Sequence, residues 1–145
     1  VTAKYQFVFL IEIISFALCV LLTIIRMKLL GTAGPYVTNQ LMNANPAYLG
    51  YIMMVFAAFN TIFIAGFFKT TYKIGKPFLL FCVASFIIII IGESLHHIPG
   101  LGSLNDSSNV SLGQFVILAI GVVVFILSGF LSYKKSIRNF EGIDL

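Results

Sequence analysis

Four long runs of apolar residues divide the chain, and polar residues gather between them. The runs cover residues 5–27, 48–68, 77–95 and 112–133. Each is close to the roughly 20 residues that an α-helix needs to cross the hydrocarbon of a bilayer. The pattern therefore predicts an all-α integral membrane protein with four transmembrane helices in a single transmembrane domain, residues 1–145.

The third run tests whether these segments are helices or strands. Residues 86–91 read Phe-Ile-Ile-Ile-Ile-Ile and do not alternate with polar residues, as the strands of a membrane barrel would. β-branched residues favour strands in water. In lipid, however, a helix satisfies its own backbone hydrogen bonds. We therefore predict a helix here as well.

The composition excludes a soluble fold. Hydrophobic residues make up 59% of the chain and charged residues 10%, whereas soluble domains carry roughly 25% charged residues. A small soluble domain exposes too much of its surface to enclose so many apolar side chains. The net charge of +4 does not indicate nucleic-acid binding, because the basic residues are few and lie at the ends of the apolar runs.

The positions of these basic residues predict the orientation. Arg26 and Lys28 lie at the far end of the first run. The other basic residues lie on the side of the two termini: Lys4, Lys69, Lys73, Lys76, Lys134, Lys135 and Arg138. Because lysine and arginine accumulate on the cytoplasmic side of membrane proteins, both termini are predicted to be cytoplasmic.

Three polar residues inside the apolar runs are candidates for a substrate pathway: Glu12, Asn60 and Glu93. An acid at membrane depth is costly and often functional. Glu12 has alternative explanations, because it lies only two turns from its end of the span, and it could be protonated or hydrogen-bonded to a neighbouring helix. For Asn60, a hydrogen bond between helices is favoured over a substrate contact.

Glu93, His96 and His97 share one helical face by their i, i+3 and i, i+4 spacing, which could make a metal site. The motif lacks a second acid or a cysteine, and Pro99 ends the helix soon afterwards. A polar cap at the lipid headgroups is the favoured interpretation, and no metal is predicted.

Soluble catalytic motifs are absent from the sequence: there is no P-loop, GxSxG, CxxC or HExxH. The chain is therefore predicted not to be an enzyme and to need no cofactor. If it takes part in driven transport, a partner or an ion gradient must supply the energy.

The order of features resembles a known family. Residues 3–5 (Ala-Lys-Tyr) open the first span, and residues 67–76 form an aromatic, basic and glycine-containing hairpin. Residues 132–136 (Ser-Tyr-Lys-Lys-Ser) close the last span, and residues 140–145 form an aromatic and acidic tail. Together they resemble the C-terminal four of the six spans of ABC-2-type transporter permeases of Gram-positive bacteria. Some of these permeases export amphipathic or antimicrobial peptides.

The resemblance implies a permease subunit in the bacterial plasma membrane. Its implied partners are a cytoplasmic ATPase subunit, which would carry out any ATP hydrolysis, a second permease subunit in a homo- or heterodimer, and the lipid bilayer. It also implies two further spans before residue 1. The alternative is a non-transport four-helix partner, such as an assembly, immunity or sensor subunit. A third hypothesis is a metal-dependent membrane enzyme that uses Glu93, His96 and His97.

Overall fold

The computed structural model describes residues 1–30, 41–70 and 73–142, which contain four long helices. The helices are α1 (Thr2–Ile25, continuing as a π-helical turn over Arg26–Leu30), α2 (Pro46–Lys69), α3 (Gly75–Leu95) and α4 (Leu112–Glu141). A short 3₁₀ turn, Gly102–Asn105, precedes α4. Residues 31–40, 71–72 and 143–145, which belong to predicted loops and the tail, lie outside the described residues.

All four helices are long and apolar enough to cross a membrane, and the described residues contain no strand. The prediction of an all-α membrane protein with four spanning helices is therefore confirmed. The isoleucine run lies inside α3, so hydrophobicity and length do override the strand preference of β-branched residues.

Successive helices run in opposite directions, which gives the bundle two ends. The terminal end contains both chain termini and the turn between α2 and α3. The loop end contains the described residues 26–30, 41–45 and 96–111. Contacts far apart in sequence define each end: Asn139 Nδ2 donates to the Ala65 carbonyl at the terminal end, and Asn43 Nδ2 donates to the Asn105 carbonyl at the loop end.

Helix α2 is the centre of the bundle. In its most apolar stretch 44% of the residues are buried, whereas 11% are buried in the corresponding stretches of α1 and of α3. The outward faces of α1 and α3 carry large exposed side chains such as Leu22 and Phe86. In a bilayer, lipid or a partner subunit covers such side chains at no hydrophobic cost.

Two glycines bring α2 and α4 into backbone contact. A methyl group added at Gly121 would lie 2.8 Å from the Gly50 Cα atom, and one added at Gly50 would lie 2.9 Å from the Leu118 Cα atom. Both distances are too short for carbon atoms, and the neighbours are backbone, which cannot rotate away. Small residues at a crossing let membrane helices approach this closely, so the crossing depends on this pair.

Helix α4 is longer than the predicted span, which ended at residue 133. Its 30 residues extend about 45 Å, beyond the roughly 30 Å of hydrocarbon. The extra turns are held by contacts: Ser136 is fully buried, and the Phe140 ring lies 6.3 Å from the Phe68 ring. The last part of α4 is therefore a packed element of the terminal end.

Hydrogen bonds of amide side chains stabilise the loop end. Asn45 caps α2 by accepting the Tyr48 N–H and donates to the Leu104 carbonyl at 2.8 Å. Gln114 Nε2 donates to the carbonyls of Ser103 and Asp106 at 2.8 and 2.7 Å. Because Asn45 and Gln114 are fully buried, these bonds replace water that the groups have lost.

We predict that Gly121→Ala destabilises the protein by about 1–3 kcal/mol, because the new methyl group has no space against the α2 backbone. Gly75→Ala is the matched control, since nothing lies within 4 Å of a methyl group there. Thermal unfolding in detergent should show a lower midpoint for the first variant only. Equal midpoints for the two variants would contradict the packing described here.

Candidate functional site

A line of buried polar side chains follows the interface of α1, α2 and α4 towards the terminal end. We call it the polar line, and its members are Glu12, Asn60, Ser132, Tyr5 and Ser136. Each side chain contacts the next through a hydrogen bond or through the Asn60 backbone. The line thus joins three helices of the bundle.

Glu12 and Asn60 form the deepest contact of this line. The Asn60 amide nitrogen lies 3.1 Å from each carboxylate oxygen of Glu12, and Glu12 is 6% exposed. Of the alternatives that the sequence left open for Glu12, the structure shows the hydrogen bond to a neighbouring helix. Among the described residues, Asn60 Oδ1 has no hydrogen-bond partner.

The helix around Asn60 is itself irregular. Residues Phe59–Ile64 of α2 form a π-helical segment, and the Ala65 N–H donates to the Asn60 carbonyl five residues earlier. The Ser132 hydroxyl donates to the same carbonyl. Such segments occur frequently at functional sites, because they change which side chains share a helix face.

The direction of the hydrogen bonds follows from counting protons. Ser132 donates its only proton to the Asn60 carbonyl, so the Tyr5 hydroxyl must donate to Ser132 Oγ, 2.6 Å away. Tyr5 then has no proton left, and Ser136 must donate to it across 2.9 Å. The series ends at a carbonyl and does not reach Glu12. It therefore holds helices in position and is not a proton relay.

A cavity of about 670 Å³ lies beside the polar line, between α1, α2 and α3. Ser15, one turn from Glu12, lines one part of it, and Glu93 lines it towards the loop end. Cys19, Tyr48 and Tyr51 also line it. The remaining lining residues are apolar: Leu41, Met42, Ile52, Val55, Phe56 and Ile89. The arrangement is an apolar space with a carboxylate towards one end.

The structure brings Glu12 and Asn60 together and places Glu93 at the loop end. Glu93 Oε2 accepts the Met42 N–H at 2.9 Å. Its Oε1 atom lies 3.6 Å from His96 Nε2 and 3.7 Å from His97 Nε2. Three of the candidate residues named from the sequence therefore do cluster, but away from the polar line.

Sequence reasoning missed three members of the polar line: Tyr5, Ser132 and Ser136. The two serines are four residues apart, so they lie on one face of α4, and this spacing could have identified a polar contact surface. Tyr5 carried no such signal, because a tyrosine near the start of a span is more often an interfacial anchor.

Four apolar helices, a buried polar line and an apolar cavity define a multi-pass membrane protein. The chain belongs to the ABC-2 transporter family, because residues 1–141 match the family model described as ABC-2 family transporter protein. It is therefore a permease subunit of an ABC transporter, and it associates with an ATP-binding subunit. The expected resemblance to ABC-2-type transporter permeases is confirmed. No curated protein and no solved structure matches the chain.

We predict that Tyr5→Phe destabilises the protein by about 1–2 kcal/mol, because it removes a hydroxyl that bonds two buried serines. Tyr133→Phe is the control: its hydroxyl bonds Thr2 at 3.1 Å in an exposed position, and its loss should cost less than about 0.5 kcal/mol. Unfolding of both variants in the same detergent compares them. An equal loss of stability in the two variants would mean that the buried Tyr5 hydroxyl contributes no more than the exposed Tyr133 hydroxyl.

Proposed function

We propose that this permease subunit exports amphipathic peptides from the bacterial cytoplasm. It works with a cytoplasmic ATPase and a second permease subunit in the plasma membrane. The observation that supports this substrate class is the cavity between α1, α2 and α3, with its apolar lining and its carboxylate towards one end.

The size of the cavity suits one face of such a peptide. Its volume of about 670 Å³ is of the size of ordinary ligand pockets, which is enough for several apolar side chains but not for a whole helical peptide. The peptide would insert its apolar face between the helices and keep its polar face towards the second subunit.

The polar candidates have different roles in this proposal. Glu93 lines the cavity and contacts polar groups of the peptide. Glu12 and Asn60 hydrogen-bond to each other. They therefore position the part of α1 that lines the cavity one turn further on, at Ser15. They are positioning residues, and their effect on transport comes through the shape of the cavity.

The proposed orientation places the terminal end in the cytoplasm. Basic residues from three parts of the chain lie at this end, including Lys4, Lys69 and Lys134, and lysines favour the cytoplasmic side. Several rings are grouped there as well, with Lys4 Nζ 5.0 Å from the centre of the Phe67 ring. The ATPase subunit would bind this basic and aromatic surface.

The test fills the cavity with a bulky side chain. Ile89 lines the cavity and its neighbour Ile90 does not, yet both lie on α3 and both are about half exposed. We predict that Ile89→Trp lowers the export of a fluorescent amphipathic α-helical peptide several-fold, in cells that also produce the ATPase. Ile90→Trp should leave export unchanged, since its indole would face lipid or a partner.

Co-purification of the ATPase with each variant is the control for assembly. Loss of export by Ile89→Trp with the ATPase still bound supports the proposal. Export that depends on the ATPase but is unaffected by Ile89→Trp would contradict a path through this cavity. If removal of this permease subunit leaves peptide export unchanged, the subunit is a non-transport partner.

A further inference from the structure

We infer that Glu93, His96 and His97 form a binding site for a divalent transition-metal ion of the zinc type at the loop end of α3. One ligand atom from each of the three residues lies within 4.8 Å of the other two. The inference does not depend on which substrate the permease carries, because it rests only on this cluster and its surroundings.

Two of the three separations between ligand atoms are close to those around a bound ion. With zinc–nitrogen and zinc–oxygen bonds of about 2.0–2.1 Å, the ligand atoms of a tetrahedral site are about 3.3 Å apart. Glu93 Oε1 lies 3.6 Å from His96 Nε2 and 3.7 Å from His97 Nε2. Both separations are too long for hydrogen bonds. The ligand nitrogens of His96 and His97 lie within 4.8 Å of each other, so a rotation of the exposed His97 side chain would complete a metal-binding geometry.

The second carboxylate oxygen orients the first. Glu93 Oε2 accepts the Met42 backbone N–H at 2.9 Å, which fixes the carboxylate plane and directs Oε1 towards the two imidazoles. Metal ligands are commonly held in this way by a hydrogen bond to the atom that does not bind the ion.

The burial of the three side chains differs in a way that suits a metal site with one open position. The His96 side chain is 7% exposed, Glu93 29% and His97 57%. Two ligands are therefore anchored in the bundle, and the third faces the surface. A water molecule or an incoming group would take the fourth position beside His97.

The local field also favours a cation. The α-helix ends at Leu95, so the last carbonyl groups of α3 carry a partial negative charge beside the cluster. Two imidazole nitrogens and one carboxylate oxygen are the ligand types that Zn²⁺ takes. Mg²⁺ and Ca²⁺ prefer oxygen ligands alone, so the donor set selects against them.

A bound ion would restrict the motion of the segments that meet at the loop end. Glu93 already joins α3 to the segment before α2 through Met42, and both residues line the cavity. Residues 41–45 are joined in turn to the segment before α4 by two hydrogen bonds between Asn43 and Asn105: the Asn43 N–H donates to Asn105 Oδ1, and Asn43 Nδ2 donates to the Asn105 carbonyl. An ion at Glu93 would therefore stiffen the loop end and the adjacent part of the cavity.

The test uses the complete, untagged permease complex in detergent, because the two histidines of this chain must not compete with a histidine tag. Zn²⁺ should bind with one high-affinity site per chain and raise the unfolding midpoint, and Mg²⁺ should do neither. Co²⁺ in place of Zn²⁺ should give the strong visible bands of a four-coordinate ion.

His96→Ala and His97→Ala should each weaken Zn²⁺ binding by at least about 100-fold. Removing a residue that only hydrogen-bonds to a metal ligand already lowers metal affinity about 10–100-fold. Because His97 is exposed, its variant tests the site without disturbing the fold. Glu141→Gln, an exposed acid at the other end of the bundle, is the control and should bind Zn²⁺ normally. Unchanged binding in both histidine variants, or no Zn²⁺-dependent shift in the parent complex, would overturn the inference.

Discussion

The lack of hydrogen-bond partners in lipid is the constraint on which the structure depends. A polar side chain in the apolar interior must find its hydrogen-bond partner on a neighbouring helix, because lipid offers none. Glu12 finds Asn60 across the α1–α2 interface, and Tyr5 finds Ser132 and Ser136 across the α1–α4 interface. Hydrophobic burial cannot position helices within a membrane, since lipid is as apolar as leucine. The polar line therefore fixes where α1 lies.

This constraint divides the molecule into parts with different roles. Helices α2 and α4 contact each other closely through Gly50 and Gly121 and form the rigid centre. Helix α1 has little buried surface and is attached at the level of the polar line. The cavity lies between α1, α2 and α3, and the surface of α3 is also mostly open. A permease needs such lightly packed walls if a substrate is to pass between its helices.

Much of this fold could be predicted from the sequence, because crossing a bilayer requires long apolar runs whatever their detail. The four helices follow from that requirement alone, and so does the helical state of the isoleucine run in α3. The continuation of α4 to Glu141 could not be predicted, since it depends on Tyr5 and Phe68, which are distant in sequence. The π-helical segment at Asn60 was hidden for the same reason, because the Ser132 hydroxyl that bonds its carbonyl comes from α4.

The candidate site shows the same limit. Hydropathy identified Glu12, Asn60 and Glu93 as polar residues in apolar surroundings, but it could not say which of them meet. Only the packing of α1 against α2 shows that Glu12 and Asn60 bond to each other and that Glu93 lines the cavity away from them. Spacing did reveal the cluster of Glu93, His96 and His97, because the three residues lie close together in sequence at the end of α3.

The most direct test of the polar line is a double-mutant cycle on Glu12 and Asn60, measured by equilibrium unfolding in mixed micelles. Glu12→Leu or Asn60→Leu alone leaves one buried polar group without its partner and should cost about 1–2 kcal/mol. The double variant removes both groups, so it should be no less stable than either single variant. Costs that simply add would show that the two side chains act independently and would contradict the account.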